Sequence, residues 1–191
     1  MLIFALTAQQ AVRLELSQLD KETAAFAQQM RGEGWTAFFK VLSYMGSSLF
    51  IIAATFVLFL WFGWRSGWLK AAPIIVGTGL VYITNTLAKM AFDRGRPEEA
   101  WAIEAAGTSF PSGNAMMALS LYGLAAIWIG RDAWFSRTTK RISYVLAGLL
   151  ILLMGASRLY FSVHYATDII GGYAASLAIL SLMMAVLTAR R

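Results

Sequence analysis

The chain carries a single histidine, His164, four residues before Asp168. A histidine with a carboxylate in reach has the parts of an activated nucleophile. On a helix, positions i and i+4 share a face, so the spacing places the Asp168 carboxylate to accept the Nδ1 hydrogen. Such a bond would fix the tautomer, leave Nε2 as the nucleophile and offset the positive charge that grows on the ring during attack. Three cations, Lys89, Arg96 and Arg158, suit the equatorial oxygens of a phosphoryl group in transfer. The segment Phe110-Pro111-Ser112-Gly113-Asn114 precedes a long apolar run. It should therefore open a helix whose free N–H groups and positive dipole end can hold an anion, with Ser112 and the Gly113 amide cradling the same phosphate. Taken singly these residues have plainer readings: a structural His–Asp contact, a snorkelling Lys89 stem, an ordinary helix cap at Ser112.

The elements that must bring them together are legible in the hydropathy. Of 191 residues, 59% are hydrophobic and 14% charged, with a mean hydropathy of +0.62. The apolar residues are grouped into uncharged stretches at 41–64, 71–88, 105–130, 142–157 and 169–189, each near the roughly 20 residues that cross a bilayer. The expectation is an all-α, polytopic transmembrane helical bundle of five spans, with Met1 to Thr7 too short to span and left unassigned. Leu16, Leu19, Phe26 and Met30 recur at helical spacing from Val12 onward, which predicts an amphipathic helix on the outer surface. No repeat or linker divides the chain. It reads as a single membrane-embedded domain over 1–191, with 1–40 an N-terminal outer-face segment and 41–191 the catalytic bundle.

The net charge of +6 is a topology signal here rather than a mark of nucleic-acid binding. Arg65 with Lys70, then Arg131, Arg137, Lys140 and Arg141, then Arg190 and Arg191 occupy three segments whose sole acidic residue is Asp132. These should be cytoplasmic. Alternation then collects the N-terminal region, the 89–112 connection and the 158–168 turn on the extracytoplasmic face, together with Lys89, Arg96, Arg158, His164 and Asp168. Tryptophans 35, 61, 64, 68, 101, 128 and 134 mark span ends at headgroup level. With no cysteine and one histidine, neither a thiolate nor a His-rich metal centre can be built. No metal and no cofactor is expected; the partners are the bilayer and a membrane lipid substrate, with no nucleic acid, and the oligomeric state is left open.

Lys89 with six residues to Arg96-Pro97, then Pro111-Ser112-Gly113, then Ser157-Arg158 with five residues to His164 and three more to Asp168 resembles the three-part signature of the type 2 phosphatidic acid phosphatase superfamily. The similarity runs from about Gly46 to the C-terminus. It implies a metal-free site in which His164 becomes a phosphohistidine that water hydrolyses. Asp168 orients the ring, while Lys89, Arg96, Arg158, Ser112 and the Gly113 amide hold the phosphoryl oxygens. Relatives of this size include bacterial phosphatidylglycerophosphate and undecaprenyl diphosphate phosphatases of the cytoplasmic membrane, acting on its outer side.

The chain departs from that pattern in two ways: similar bacterial proteins carry six spans, which makes Met1 to Thr7 readable as the remnant of a truncated sixth span at the N-terminus, and one motif position differs. The family's middle block ends in a histidine that protonates the leaving group, and this chain has Asn114 there. An amide can hydrogen-bond an oxygen but cannot deliver a proton, a loss on the order of 10² to 10⁴ in rate. A phosphate leaving from a diphosphate needs that proton less than an alkoxide does, so polyprenyl diphosphate is the favoured substrate, with phosphatidylglycerophosphate or phosphatidic acid next. Arg94, Glu98, Glu99 and Glu104 lie near enough in sequence to act as a substitute acid or a substrate contact. The alternative is a catalytically impaired pseudo-enzyme of the same fold that binds lipid phosphates. An anion channel fits less well, because the charges collect at one face rather than through the membrane depth.

Overall fold

A computed structural model of the chain describes residues 1–13 and 16–189. Arg190 and Arg191, assigned to the cytoplasmic side by charge, lie outside the described residues. Eight helices follow in order: α1 Leu2–Arg13, α2 Gln18–Gln29, α3 Glu33–Met45, α4 Ser48–Ser66, α5 Trp68–Ala91, α6 Gly113–Arg131, α7 Arg137–Tyr160 and α8 Ala166–Ala189. The last five are long and apolar enough to cross a membrane, and the described residues include no strand. The expected all-α transmembrane bundle is what the chain forms.

Local chemistry sets the boundaries. Ser47 accepts from the Phe50 amide and caps α4, and Ser136 does the same for α7 through the Thr139 amide. Between α4 and α5 the connection is Gly67 alone, at φ +99°, a conformation that favours glycine. The span expected over 41–64 begins instead at Ser48, because Gly46 ends α3 and Ser47 restarts the chain as a helix cap. That break makes α3 a separate helix, ahead of the first span.

The N-terminal expectation also needs correction. One amphipathic helix from Val12 to Met30 is in fact two helices, with Leu16 ahead of α2 and Met30 as its C-cap. Ser17 and Asp20 form a reciprocal capping box that starts α2. Leu19 and Phe26 are exposed while Asp20 and Ala27 turn inward. The segment Met1 to Thr7 belongs to α1, which at 12 residues reaches only about 18 Å, and it lies along α8 with Thr7 and Ala11 buried.

Helix α6 is the hub, packing against α4, α5, α7 and α8. Its Met116, Met117, Leu121 and Leu124 meet Ile51, Phe62, Ile74 and Val81 in the core. The outward faces stay apolar, with Leu49, Phe56, Val57, Leu69, Val145, Leu152 and Leu182 exposed. An exposed apolar surface of this extent fits a bilayer and not water. Trp128, in the last turn of α6, stacks on the buried Phe62 ring at 3.7 Å between centroids. At that end Arg65 pairs with Asp132 at 3.1 Å and lies over the Trp134 ring.

Candidate active site

At the opposite end of the bundle three segments meet: the 92–112 connection, the 161–165 turn and the end of α3. His164 precedes α8 rather than sitting on it, since α8 starts at Ala166. The i, i+4 face argument therefore does not hold, although the pair itself does. The ring's Nδ1 faces Oδ2 of Asp168 at 3.5 Å and is buried without a formed hydrogen bond, so a small approach of the carboxylate would complete one. Oδ2 also accepts the Tyr165 amide at 2.9 Å, which closes the turn and fixes the carboxylate beneath the ring.

Nε2 faces Arg96, whose Nη1 lies 3.2 Å away. The Arg96 guanidinium is further held by three carbonyls, those of Val163 (2.7 Å), Gly107 (3.0 Å) and Ala106 (2.9 Å). With Nδ1 turned to a carboxylate and Nε2 to a guanidinium, the neutral ring that carries its proton on Nδ1 is the tautomer that satisfies both neighbours. His164 is 4% exposed, and burial lowers its pKa to about 4, with Arg158 and Arg96 adding to the effect against Asp168. Burial likewise lowers the Arg96 value.

The other predicted residues surround this pair. Lys89, in the last turn of α5, donates to the Thr108 carbonyl at 2.5 Å. Arg158, in the last turn of α7, donates to Ser43 Oγ at 2.5 Å, and its Nε is buried without a partner. Ser112 is the residue before α6, yet its hydroxyl makes no cap bond and is buried and unpartnered. Its amide is held by the Asp168 carbonyl at 3.1 Å, so the start of α6 and the first turn of α8 are locked together. Buried polar atoms without partners are uncommon in folded proteins, and an oxyanion would supply what Ser112 and Arg158 lack. Gly113 abuts Asn85, whose Oδ1 would lie 3.0 Å from an added Cβ.

Asn114 donates to the Ser43 carbonyl at 3.1 Å. It thus shares Ser43 with Arg158, which places it beside the same cluster. Arg94 is neither an acid nor a substrate contact: it is 2% exposed and bridges Asp168 (2.7 Å) and Asp20 (3.1 Å). Glu99 is drawn away to Gln28. Sequence reasoning missed Ser43, Asn85, Asp20 and Thr167. Only Asp20 carried a signal, and its Ser17–Asp20 capping pattern accounts for it without reference to any site. A groove of about 470 Å³ lies to one side, between α3 and the 92–112 connection, lined by Arg31, Glu33, Thr36, Lys40 and Trp101.

Comparison with known proteins agrees with the geometry. Residues 70–191 match the PAP2 superfamily. Phosphatidylglycerophosphatase B of Bacillus subtilis (strain 168) is 29% identical over 143 residues, 74% of this chain and 70% of that protein. The crystal structure of a transmembrane PAP2 type phosphatidylglycerolphosphate phosphatase from Bacillus subtilis superposes with a TM-score of 0.88 at 23% identity, over 99% of this chain and 96% of that one. Aquifex aeolicus LpxE superposes at 0.66 with 22% identity, over 88% and 96%. The match spans α5 to α8, the helices that carry or adjoin Lys89, Arg96, Ser112, Arg158, His164 and Asp168, and the chain belongs to the PAP2 superfamily as a multi-pass membrane phosphatase.

Proposed function

We propose that this chain hydrolyses a lipid phosphate or diphosphate through a phosphohistidine formed on His164, without a metal. The observation that carries the reading is Nε2 facing Arg96 at 3.2 Å while Ser112 Oγ and Arg158 Nε stand buried and unpartnered in the same cluster. Nε2 attacks phosphorus and the bond from phosphorus to the leaving oxygen breaks, expelling a lipid phosphate from a diphosphate or, from a monoester, an alkoxide that takes its proton from water; the ring becomes a phosphorylated imidazolium whose charge Asp168 offsets. Arg96, Arg158, Lys89, Ser112 and the first amides of α6 hold the three equatorial oxygens. Water then breaks the P–N bond, releasing phosphate and returning the neutral ring. All 191 residues act as one unit, since Asp20 and Ser43 come from helices ahead of the first span.

Asn114 favours a leaving group that departs without a proton, and hence a lipid diphosphate such as a polyprenyl diphosphate. The name of the Bacillus relative supports a monoester, phosphatidylglycerophosphate. The basic end carrying Arg65, Arg131 and Arg137 favours a site on the outer face of the cell membrane. The test is phosphate release from undecaprenyl diphosphate, phosphatidylglycerophosphate and phosphatidic acid with a chelator present. His164→Ala should abolish release from every substrate. Asn114→His should raise the monoester rates by on the order of 10² and the diphosphate rate by much less. Release that survives His164→Ala would overturn the mechanism, and equal parent rates on monoester and diphosphate would overturn the preference.

A further inference from the structure

The chemistry proposed for His164 and Asp168 leaves two buried charged groups unused, Asp20 and Arg94. Asp20, on α2, is 1% exposed and lies outside the stretch that matches the family. Its Oδ1 accepts the Thr167 amide at 2.9 Å, and Oδ2 accepts Arg94 Nη2 at 3.1 Å. The Thr167 hydroxyl lies within 3.0 Å of both oxygens and receives Arg94 Nη1 at 2.7 Å. Arg94 Nη1 also reaches Asp168 Oδ1 at 2.7 Å. A surface helix thereby grips the residue next to Asp168 and the cation that holds Asp168.

This arrangement exceeds what capping α2 requires. Ser17 already supplies the cap through the Asp20 amide, and a capping carboxylate is ordinarily solvated. A carboxylate removed from water is costly unless it is fully paired, and here the pairing serves the neighbouring site. With Oδ1 of Asp168 taken by Arg94, only Oδ2 remains for Nδ1 of His164. Arg94 shared between two carboxylates draws less on Asp168 than it would if alone, so Asp168 keeps the charge needed to hold the Nδ1 hydrogen. Charged groups facing His164 are Asp168 from α8, Arg158 from α7 and Arg96 from the 92–112 connection, and α2 brings Asp20 to a small cavity beside the ring.

We infer that Asp20 is a positioning residue for the phosphatase site: through Arg94 and Thr167 it holds Asp168 so that His164 keeps its proton on Nδ1 and presents a bare Nε2. The inference rests on the reading of His164 as nucleophile, but it can be tested without turnover. Because the chain has one histidine, selective ¹⁵N-histidine labelling of the full-length protein in detergent gives the two ring nitrogens of His164 alone.

At neutral pH the parent should show protonated Nδ1 and bare Nε2. Asp20→Asn should shift the ring toward the other tautomer and lower kcat roughly 10-fold at unchanged KM. Thr167→Val, which removes the bridging hydroxyl and retains the side chain's shape, should do the same more weakly, by about 3-fold. A parent ring protonated on Nε2 would overturn the inference with no variant required. So would a folded Asp20→Asn or Thr167→Val protein whose ring signals and kcat match the parent's, since a purely structural tie lowers the melting temperature and leaves both unchanged. A parent that shows the expected tautomer and releases no phosphate would instead count against the phosphatase mechanism.

Discussion

His164 is held neutral by its surroundings, and this has consequences for pH. A free imidazole takes its proton near 6.5, whereas the buried ring does so at about 4. The ring therefore keeps Nε2 unprotonated in mild acid, as its proposed role requires. Once the substrate's own ionisation at about 6 is allowed for, we expect kcat/KM to stay level from about pH 7 to about pH 5 and to fall as the pH drops through about 4; a residual enzyme limb at 6.5 would contradict the burial argument. The linkage runs the same way for stability. The unfolded chain binds the proton near 6.5 and the native one only near 4, so stability present above 6.5 declines as the pH is lowered between those values. The grouping at this scale was legible. His164, Asp168, Lys89, Arg96 and Arg158 are ionisable types that are costly at membrane depth, and Ser112 is marked only by its place at the opening of a long apolar helix. Arg94 was misread because its meaning depends on a carboxylate 74 residues away, and Ser43 was missed because a serine in an apolar stretch looks like any other.

Among the elements, the contact that matters most to the site is that of α6 with α8. Gly172 of α8 lies against the start of α6, where an added Cβ would come 3.0 Å from the Ser112 carbonyl and 3.2 Å from Met116. The carbonyl is backbone and cannot rotate aside. Gly172→Ala should cost about 1–3 kcal/mol of stability and, because Ser112 also bonds the Asp168 carbonyl, should reduce turnover in the protein that remains folded. Thermal melts together with phosphate release at a temperature well below the melt separate the two effects. A variant with the parent's melting point would mean that α8 shifts freely against α6. The existence of five spans was readable from hydropathy because each is a long apolar run. Their starts were not, because a Gly46-Ser47 break inside an apolar stretch changes no hydropathy average. The placement of His164 outside α8 was equally invisible, since the spacing of four survives whether the residues are helical or form a turn closed by Tyr165.

For the molecule as a whole, the two ends differ in kind. One end carries basic side chains with Arg65, Asp132 and Trp134 interlocked; the other gathers the reactive groups under α2 and α3. The absence of cysteine makes orientation simple to measure. In intact cells an impermeant maleimide should label Glu98→Cys, while Ala133→Cys should react only after the membrane is opened. The reverse pattern would place the site on the cytoplasmic side. Charge counting found this division of the molecule, but it could not foresee that helices ahead of the first span complete the site.

The resting partners of Arg96 bear on how the site treats its product. All four are uncharged: three carbonyls and a ring nitrogen. Lys89, Arg96 and Arg158 together outweigh the Asp20–Arg94–Asp168 trio, whose net charge is a single negative, so the site at rest is two charges short of neutral. A phosphate monoester dianion supplies both, and so does the inorganic phosphate left behind after hydrolysis. The attraction that draws substrate in therefore also binds the product, and inorganic phosphate should compete with the lipid for the same three cations.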